Sequence, residues 1–433
     1  MAVASRQLLR TTICLVCGLQ LEAIRVHMRI LMIANYLPYP QVTGGRIRVY
    51  NLLRRIALRH EVSLAALLES PDDAEGVPHL RQLCARVETA SFPAHQRSRL
   101  AKAPGMLRYA LQRKPPDLML LHSEELARKI RQLFATTPYD IVQIESVMGL
   151  YLDELPRPKN YKSLQMFQNI SSHQLDRIWR VERQGYRRLR YWINSTSMRY
   201  WEPRYAEKFD RCTTVSEADQ QLLLRANPRL RIDVIPNGVD TETYRPLPLP
   251  SASAPPSLMF IGSLSYAPCA DAVLYFCDEI LPLVRQALDR TELRIVGRDP
   301  PPEVLKLSGR GVQVTGRVGN VVPYYQSSTV CVVPLRAGGG TRLKILEAMA
   351  LGRPVVTTSV GCEGLEVVHG QHCLVADTPE QFAKSTVRLL TDRPFAQYIC
   401  GNARKLVETR YGWDQIADRL VAVYEHMLAE PGV

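Results

Sequence analysis

The sequence predicts an α/β protein of two Rossmann-like domains joined by a linker, and three observations predict it. Apolar strand-like runs alternate with helical stretches through both halves of the 433 residues, a pattern that gives parallel sheets covered by helices on both faces. Residues 241–256, TETYRPLPLPSASAPP, break the alternation with five prolines and little apolar content, which marks the linker. A chain of this length with 46% hydrophobic residues has ample material for two cores.

Taken in order, residues 1–27 stand apart as an N-terminal extension. Arg6 and Arg10 precede the apolar stretch Thr11–Leu21, as in a secretion signal. The stretch is too short for a membrane span, Gln20 and Glu22 interrupt it, and no small-residue cleavage site follows. Met28 directly precedes the first clear strand, so a start placed too early explains the extension better than a working signal does. The N-terminal domain, 28–240, opens with the strand Arg29–Ala34, a loop through Pro38 and Pro40, and the pair Gly44-Gly45. A helix from Arg46 to His60 then carries Leu52, Leu53 and Ile56 at helical spacing. Strands follow in HEVSLAALL, VETASFP, DIVQIES, KSLQMFQN and RCTTVS. The second domain, 257–410, repeats the alternation with SLMFIGSLS, LRIVG, VQVTG, VCVVP, PVVTT and HCLVA. Residues 411–433 close the chain with an amphipathic helix, GWDQIADRLVAVYEHMLAE.

The stretch from Arg336 to Ser359, RAGGGTRLKILEAMALGRPVVTTS, carries the most chemistry. A glycine turn, Gly338-Gly339-Gly340, runs into a short helix that bears Arg342, Leu343, Lys344 and Glu347 and stops at Gly352-Arg353-Pro354. A glycine turn at a helix start brings backbone N–H groups and the positive end of the helix dipole close to an anion. Arg342 and Lys344 are placed in the first turn, where cations are disfavoured unless something negative binds. Glu347 lies five residues beyond Arg342, about 7.5 Å along a helix, roughly the step from a diphosphate to the ribose diol of one nucleotide. A carboxylate there can accept from two vicinal hydroxyls at once. A capped surface helix whose Lys344 and Glu347 pair at i,i+3 would show the same pattern.

This segment resembles the signature of the family 4 retaining glycosyltransferases of the GT-B fold, in the branch with G-G-T-R-L-K-I-L-E-A. In that family a Glu-x7-Glu motif holds a nucleotide sugar. Glu347 matches the second glutamate, and Gly339 stands where the first belongs. The runs TTVSEADQQLLL and IDVIPNGVDTETYRP resemble the family's segments at the domain junction, where Asn237 and Gly238 sit. The resemblance implies a cleft between the domains, a C-terminal helix crossing back onto the first domain, and a loop at Gly44-Gly45 lying against the donor's diphosphate and sugar. Relatives also place an Arg and a Lys beside Gly262; here that turn reads GSLSYAP and both cations are missing. Arg342 and Lys344 are expected to supply the charge from the opposite wall. Front-face transfer, in which the leaving phosphate takes the acceptor proton, is the mechanism the resemblance implies, and it needs no side-chain nucleophile. Glu145, at the carboxyl end of DIVQIE, and His173, after LQMFQNISS, are the weak catalytic candidates.

The implied function is transfer of a hexose from a nucleotide diphosphate sugar to a glycan or lipid-linked glycan, in exopolysaccharide or cell-envelope synthesis. A nucleotide-sugar epimerase and a catalytically silent sugar-nucleotide-binding subunit are the alternatives. No cofactor beyond the donor substrate and no metal is expected, since ten scattered cysteines and nine histidines show no paired ligand spacing. There is no GxGxxG with an acidic partner, which argues against a dehydrogenase. The net charge of +13 without a nucleic-acid motif points to phosphate-bearing ligands or an anionic membrane. Residues 177–211 set ten basic residues against four acidic ones among seven tryptophans and tyrosines. That mixture suits a lipid headgroup layer, or equally a pair of helices with inward-packed aromatics. The expected location is cytoplasmic, peripheral on the inner face of the membrane.

Overall fold

The computed structural model describes residues 27–92, 109, 114–156, 159–182, 184–339 and 342–430. The extension's signal-like segment, Gly340 and Thr341 lie outside them. Seven parallel strands form the first sheet: β1 (Arg29–Ala34), β2 (Glu61–Leu68), β3 (Arg86–Ser91), β4 (Ile141–Glu145), β5 (Lys162–Met166), β6 (Arg211–Thr214) and β7 (Ile232–Val234). Their spatial order is β3-β2-β1-β4-β5-β6-β7. Six more form the second: β8 (Ser257–Ile261), β9 (Glu292–Val296), β10 (Val312–Gly316), β11 (Val330–Val333), β12 (Val355–Thr357) and β13 (Leu374–Val375), in the order β10-β9-β8-β11-β12-β13. Central strands such as RILMIA and VCVV are apolar on both faces because helices cover both. The short edge strand β7, half-buried throughout, is the one that the sequence pattern does not reveal.

Each sheet reverses its strand order once, between β1 and β4 in the first and between β8 and β11 in the second. Crevices at the carboxyl ends of strands beside such reversals are where open α/β sheets bind ligands. Gly44-Gly45 follow β1, Glu145 ends β4, Gly262 follows β8, and the Arg336–Glu347 segment follows β11. The fold therefore gathers the candidate residues at two switch points.

Six helices position the site: α1 (Gly44–Ile56), α2 (Ser171–Val181), α3 (Gly185–Ala206), α4 (Ala267–Tyr275), α5 (Leu343–Ala350) and α6 (Trp413–Ala429). Two boundaries differ from the sequence reading. The helix expected from Arg46 begins at Gly44, because Thr43 caps it by accepting from the Arg46 N–H at 3.4 Å. Arg342 is the residue before α5 rather than part of its first turn, and its extended backbone makes it the N-cap.

The C-terminal helix does cross back. Its Asp414 and Asp418 pair with Arg55 and Arg59 of the α1 region, each at 2.6 Å, and the Tyr424 hydroxyl bonds Gln143 on β4. Through Ile416, Leu420 and Tyr424, the core under one face of the first sheet runs into the second domain's core. The other face buries Met198, Trp201 and Tyr205 of α3. Gly238 packs on Trp413: a Cβ there would sit 2.7 Å from the indole, so the junction admits only glycine without a shift.

Candidate functional site

The C-terminal wall starts from Gly262. A Cβ on it would lie 2.8 Å from Lys344 Nζ and 2.9 Å from Cys269 Sγ, so the missing side chain makes room for the lysine. Lys344 reaches over the Phe260 ring at 4.4 Å and meets the Cys269 thiol at 3.6 Å. It pairs with no carboxylate among the described residues, and burial holds its ammonium below the usual lysine range. The i,i+3 pairing with Glu347 does not form. Arg342 gives one N–H to the Gly339 carbonyl, while Nε and Nη2 are buried without a partner. Two cations two residues apart in the chain thus stand without an ion-pair partner within 4 Å among the described residues. The start of α5 beside them has no side-chain cap and no acidic residue in its first turn.

Glu347 lies one turn further along α5. Burial raises its carboxyl to about 6, against the opposing pull of Lys344 and a hydrogen bond from Tyr325. The aromatic neighbours Tyr325 and Tyr244 form its surroundings.

The N-terminal wall is built differently. Gly44 begins α1 opposite Leu343, whose Cδ1 would lie 3.4 Å from a Cβ on the glycine. At Gly45 a Cβ would overlap the Tyr36 hydroxyl and stand 2.7 Å from Gln168 Oε1, so this backbone lies directly on the Tyr36–Gln168 hydrogen bond of 2.8 Å. Beneath it, Glu145 is 0% exposed and accepts from Gln143 at 2.6 Å and Gln168 at 3.0 Å. A catalytic role for this carboxylate needs it to face the cleft; the structure instead buries it as a support of the cleft floor. Burial raises its carboxyl, and Arg48 acts in the opposite direction. Arg48 is itself 1% exposed and donates to the Ile235 and Pro236 carbonyls and the Asn237 side chain at 2.7–2.8 Å.

Helix α2 joins the walls. Gln174 donates to the Tyr266 hydroxyl at 2.8 Å, and Arg177 donates to the Gly338 carbonyl at 3.0 Å and forms a bidentate ion pair with Glu363. A Cβ on Gly339 would meet Gln174 Cβ at 3.2 Å and Asn169 Cβ at 3.5 Å. Where the resembled motif has its first glutamate, the N-terminal domain closes in. His173, in the first turn of α2, is half-buried, and burial followed by Arg177 lowers its pKa. It shares no hydrogen bond with Glu145, so the two catalytic candidates are not one constellation.

Sequence reasoning missed Arg177–Glu363, Gln174–Tyr266 and Gln168–Tyr36, because each pairs residues far apart in the chain. Arg48 did leave a signal: four residues before Leu52, it falls on the apolar face of α1. Among the described residues no His, Cys, Asp and Glu group is placed to hold a metal ion.

Residues 42–243 match the family described as Glycosyltransferase Family 4, and residues 255–392 match Glycosyl transferases group 1. Both halves carry glycosyltransferase domains. The fold of this glycosyltransferase is GT-B, shared with sucrose-phosphate synthase from Thermosynechococcus elongatus at TM-score 0.70 and 20% identity, over 93% of this chain and 100% of that one. Anabaena HepE, solved with UDP and glucose, aligns at TM-score 0.65 and 16% identity over 92% and 100%. A 44.6 kDa protein of the Klebsiella pneumoniae cps region is 21% identical over 88% of this chain and 96% of its own. A GDP-mannose-dependent phosphatidylinositol monomannoside mannosyltransferase of Mycobacterium tuberculosis is 27% identical over 45% of this chain. That alignment spans 55% of the mannosyltransferase's own length.

Proposed function

We propose that this glycosyltransferase transfers a hexose, with retention, from a nucleotide diphosphate sugar to a glycan or lipid-linked glycan. The observation that carries the proposal is the pair of cations, Arg342 and Lys344, left without a carboxylate beside an uncapped helix start. Unpaired buried charge is costly, and a bound anion removes that cost. A diphosphate at Arg342 and Lys344 puts the ribose at Glu347 and the sugar toward Gly44-Gly45 and α2. Asn169, just before α2, and His173 and Gln174 on it then take over the sugar hydroxyls that a first motif glutamate would hold, since Asn169 and Gln174 occupy its space at Gly339.

In the reaction, the bond between the anomeric carbon and the departing phosphate oxygen breaks as the acceptor oxygen bonds that carbon on the same face. The acceptor proton passes to the departing phosphate. Arg342 and Lys344 stabilise the charge that grows on that phosphate. The buried floor around Glu145 keeps Gly45 and Gln168 fixed. The cps-region relative supports a role in polysaccharide synthesis.

The test is thermal-shift screening against UDP, GDP, ADP and TDP and their sugars, followed by product analysis with the donor that binds. One nucleotide should stabilise the protein by about 2–3 kcal/mol at roughly 100-fold above Kd. Glycosylated acceptor in the products supports transfer. An epimerised free nucleotide sugar instead supports the epimerase reading, and binding without turnover supports the silent subunit.

A further inference from the structure

We propose that the outer face of α3 docks on an anionic lipid bilayer and so presents the cleft to acceptors held in that bilayer. A surface helix normally turns apolar residues inward and polar ones outward. Helix α3 is apolar on both sides. Its inner face buries Met198, Trp201 and Tyr205, with Trp201 and Tyr205 stacked at 4.4 Å. Its outer face carries Tyr186, Leu189, Trp192, Ile193 and Tyr200, each between 38% and 71% exposed. At 3.6 residues per turn these five fall within an arc of roughly 120°, about opposite the buried face. No other described helix exposes such a stripe; the remaining exposed large apolar residues, Leu58, Leu305, Val368 and Tyr398, are scattered singly.

The charge around the stripe selects the occupant. Arg187, Arg188 and Arg204 have no carboxylate within 4 Å among the described residues. They lie on aromatic rings instead: Arg187 on Tyr186, Arg188 on Trp179 at 5.4 Å, and Arg204 on Tyr200 at 3.7 Å. Arginines flanking exposed Trp, Tyr and Leu match a headgroup layer with negative charge, where the rings enter the interface and the guanidiniums meet phosphates. A second copy of this chain fits less well, because a self-complementary contact would set arginine against arginine. The stripe also sits next to the site. Three residues of the chain separate α2 from α3, and α2 bonds the glycine loop through Arg177 and the Tyr266 hydroxyl through Gln174. No described helix is long and apolar enough to cross a membrane, so this contact would be peripheral.

The presenting role rests on the proposed transferase reading, whereas the docking does not. The test is therefore cosedimentation of the full chain, without donor or acceptor, with phosphatidylglycerol-rich vesicles and with phosphatidylcholine vesicles. Binding should favour the anionic vesicles and fall with added salt. Leu189→Ser/Trp192→Ser/Ile193→Ser should weaken it about tenfold or more, with the melting temperature and nucleotide binding unchanged. Arg187→Glu/Arg188→Glu should remove the preference for anionic lipid. Equal binding to both vesicle types, or full binding by the triple serine variant, would overturn the proposal. So would a concentration-dependent dimer that the serine variant abolishes.

Discussion

The two walls of the cleft use charge in opposite ways. On the N-terminal wall Arg46, Arg48 and Glu145 each have two or more side-chain hydrogen bonds from within, with only Nε of the two arginines left without a partner. Arg46 pairs with Asp73 at 2.8 Å and with Glu69 at 2.6 Å, Arg48 meets three oxygens, and Glu145 accepts from two amides. On the C-terminal wall Arg342 and Lys344 are left open. The first wall is a rigid floor that sets shape, and the second is an electrostatic receptor with a place for an anion. Both stand at a strand-order reversal, so topology alone does not distinguish them; the state of the charges does.

The sharpest way to break this comparison is to neutralise the open wall. Arg342→Met/Lys344→Met should weaken nucleoside diphosphate binding by roughly 3 kcal/mol, about 100-fold, because charged hydrogen bonds to phosphate are lost. Calorimetric titration measures it, and the variant should fold at least as stably as the parent, since two unpaired cations are gone. A change in the closed wall should act the other way round. Gly45→Ala forces a methyl into the Tyr36 hydroxyl and should cost about 1–3 kcal/mol of stability in denaturant melts. Adding Tyr36→Phe should recover part of that loss, which separates overlap from a general intolerance of α1.

Glu347 links the two effects. Its carboxyl titrates near 6 in the folded protein against an ordinary 4.5. The folded state therefore holds more protons than the unfolded state between these values, and the stability due to this group falls as pH rises from 4.5 to 6. Glu347→Gln should accordingly raise the melting temperature of the ligand-free protein at pH 7, by a contribution on the order of 1–2 kcal/mol. The same change should weaken nucleotide binding about tenfold, because a carboxylate that accepts from two hydroxyls is replaced by an amide with one acceptor oxygen. In the parent, nucleotide affinity should decline as pH falls through about 6, and the glutamine variant should flatten that profile. The smallest effect is expected at the joint between the walls. Arg177→Ala opens the pair with Glu363, which is partly solvent-exposed, and should raise the donor KM a few-fold, about 1 kcal/mol or less. The product distribution should stay the same.

The fold was legible because parallel strands buried on both faces leave continuous apolar runs, as in RILMIA and VCVVP, and only a three-residue edge strand such as Ile232–Val234 leaves none. The open wall was legible for a related reason. Its residues lie within ten positions of one another, on a glycine turn and one helix, so their spacing alone carries the geometry. The closed wall was not. Tyr36 and Gln168 are 132 residues apart, and at the joint between the walls Arg177 and Glu363 are 186 apart. Nothing local in either segment specifies its partner. Glu145 shows the consequence: its place at a strand's carboxyl end was readable, but its burial depends on Gln168, Arg48 and Tyr424 from three other segments. Gly339 is the converse case. Its lack of a side chain was visible in the sequence, and only the structure shows that Asn169 and Gln174 stand in the vacated space.

The central claim is that Arg342 and Lys344 remain unpaired in order to receive a diphosphate. Its most direct test is calorimetric titration of the nucleoside diphosphate chosen by thermal shift, into the parent and into Lys344→Met, at low and at high salt. Binding that is salt-sensitive in the parent and at least about tenfold weaker in the variant is the expected result. An unchanged Kd in Lys344→Met would contradict the claim.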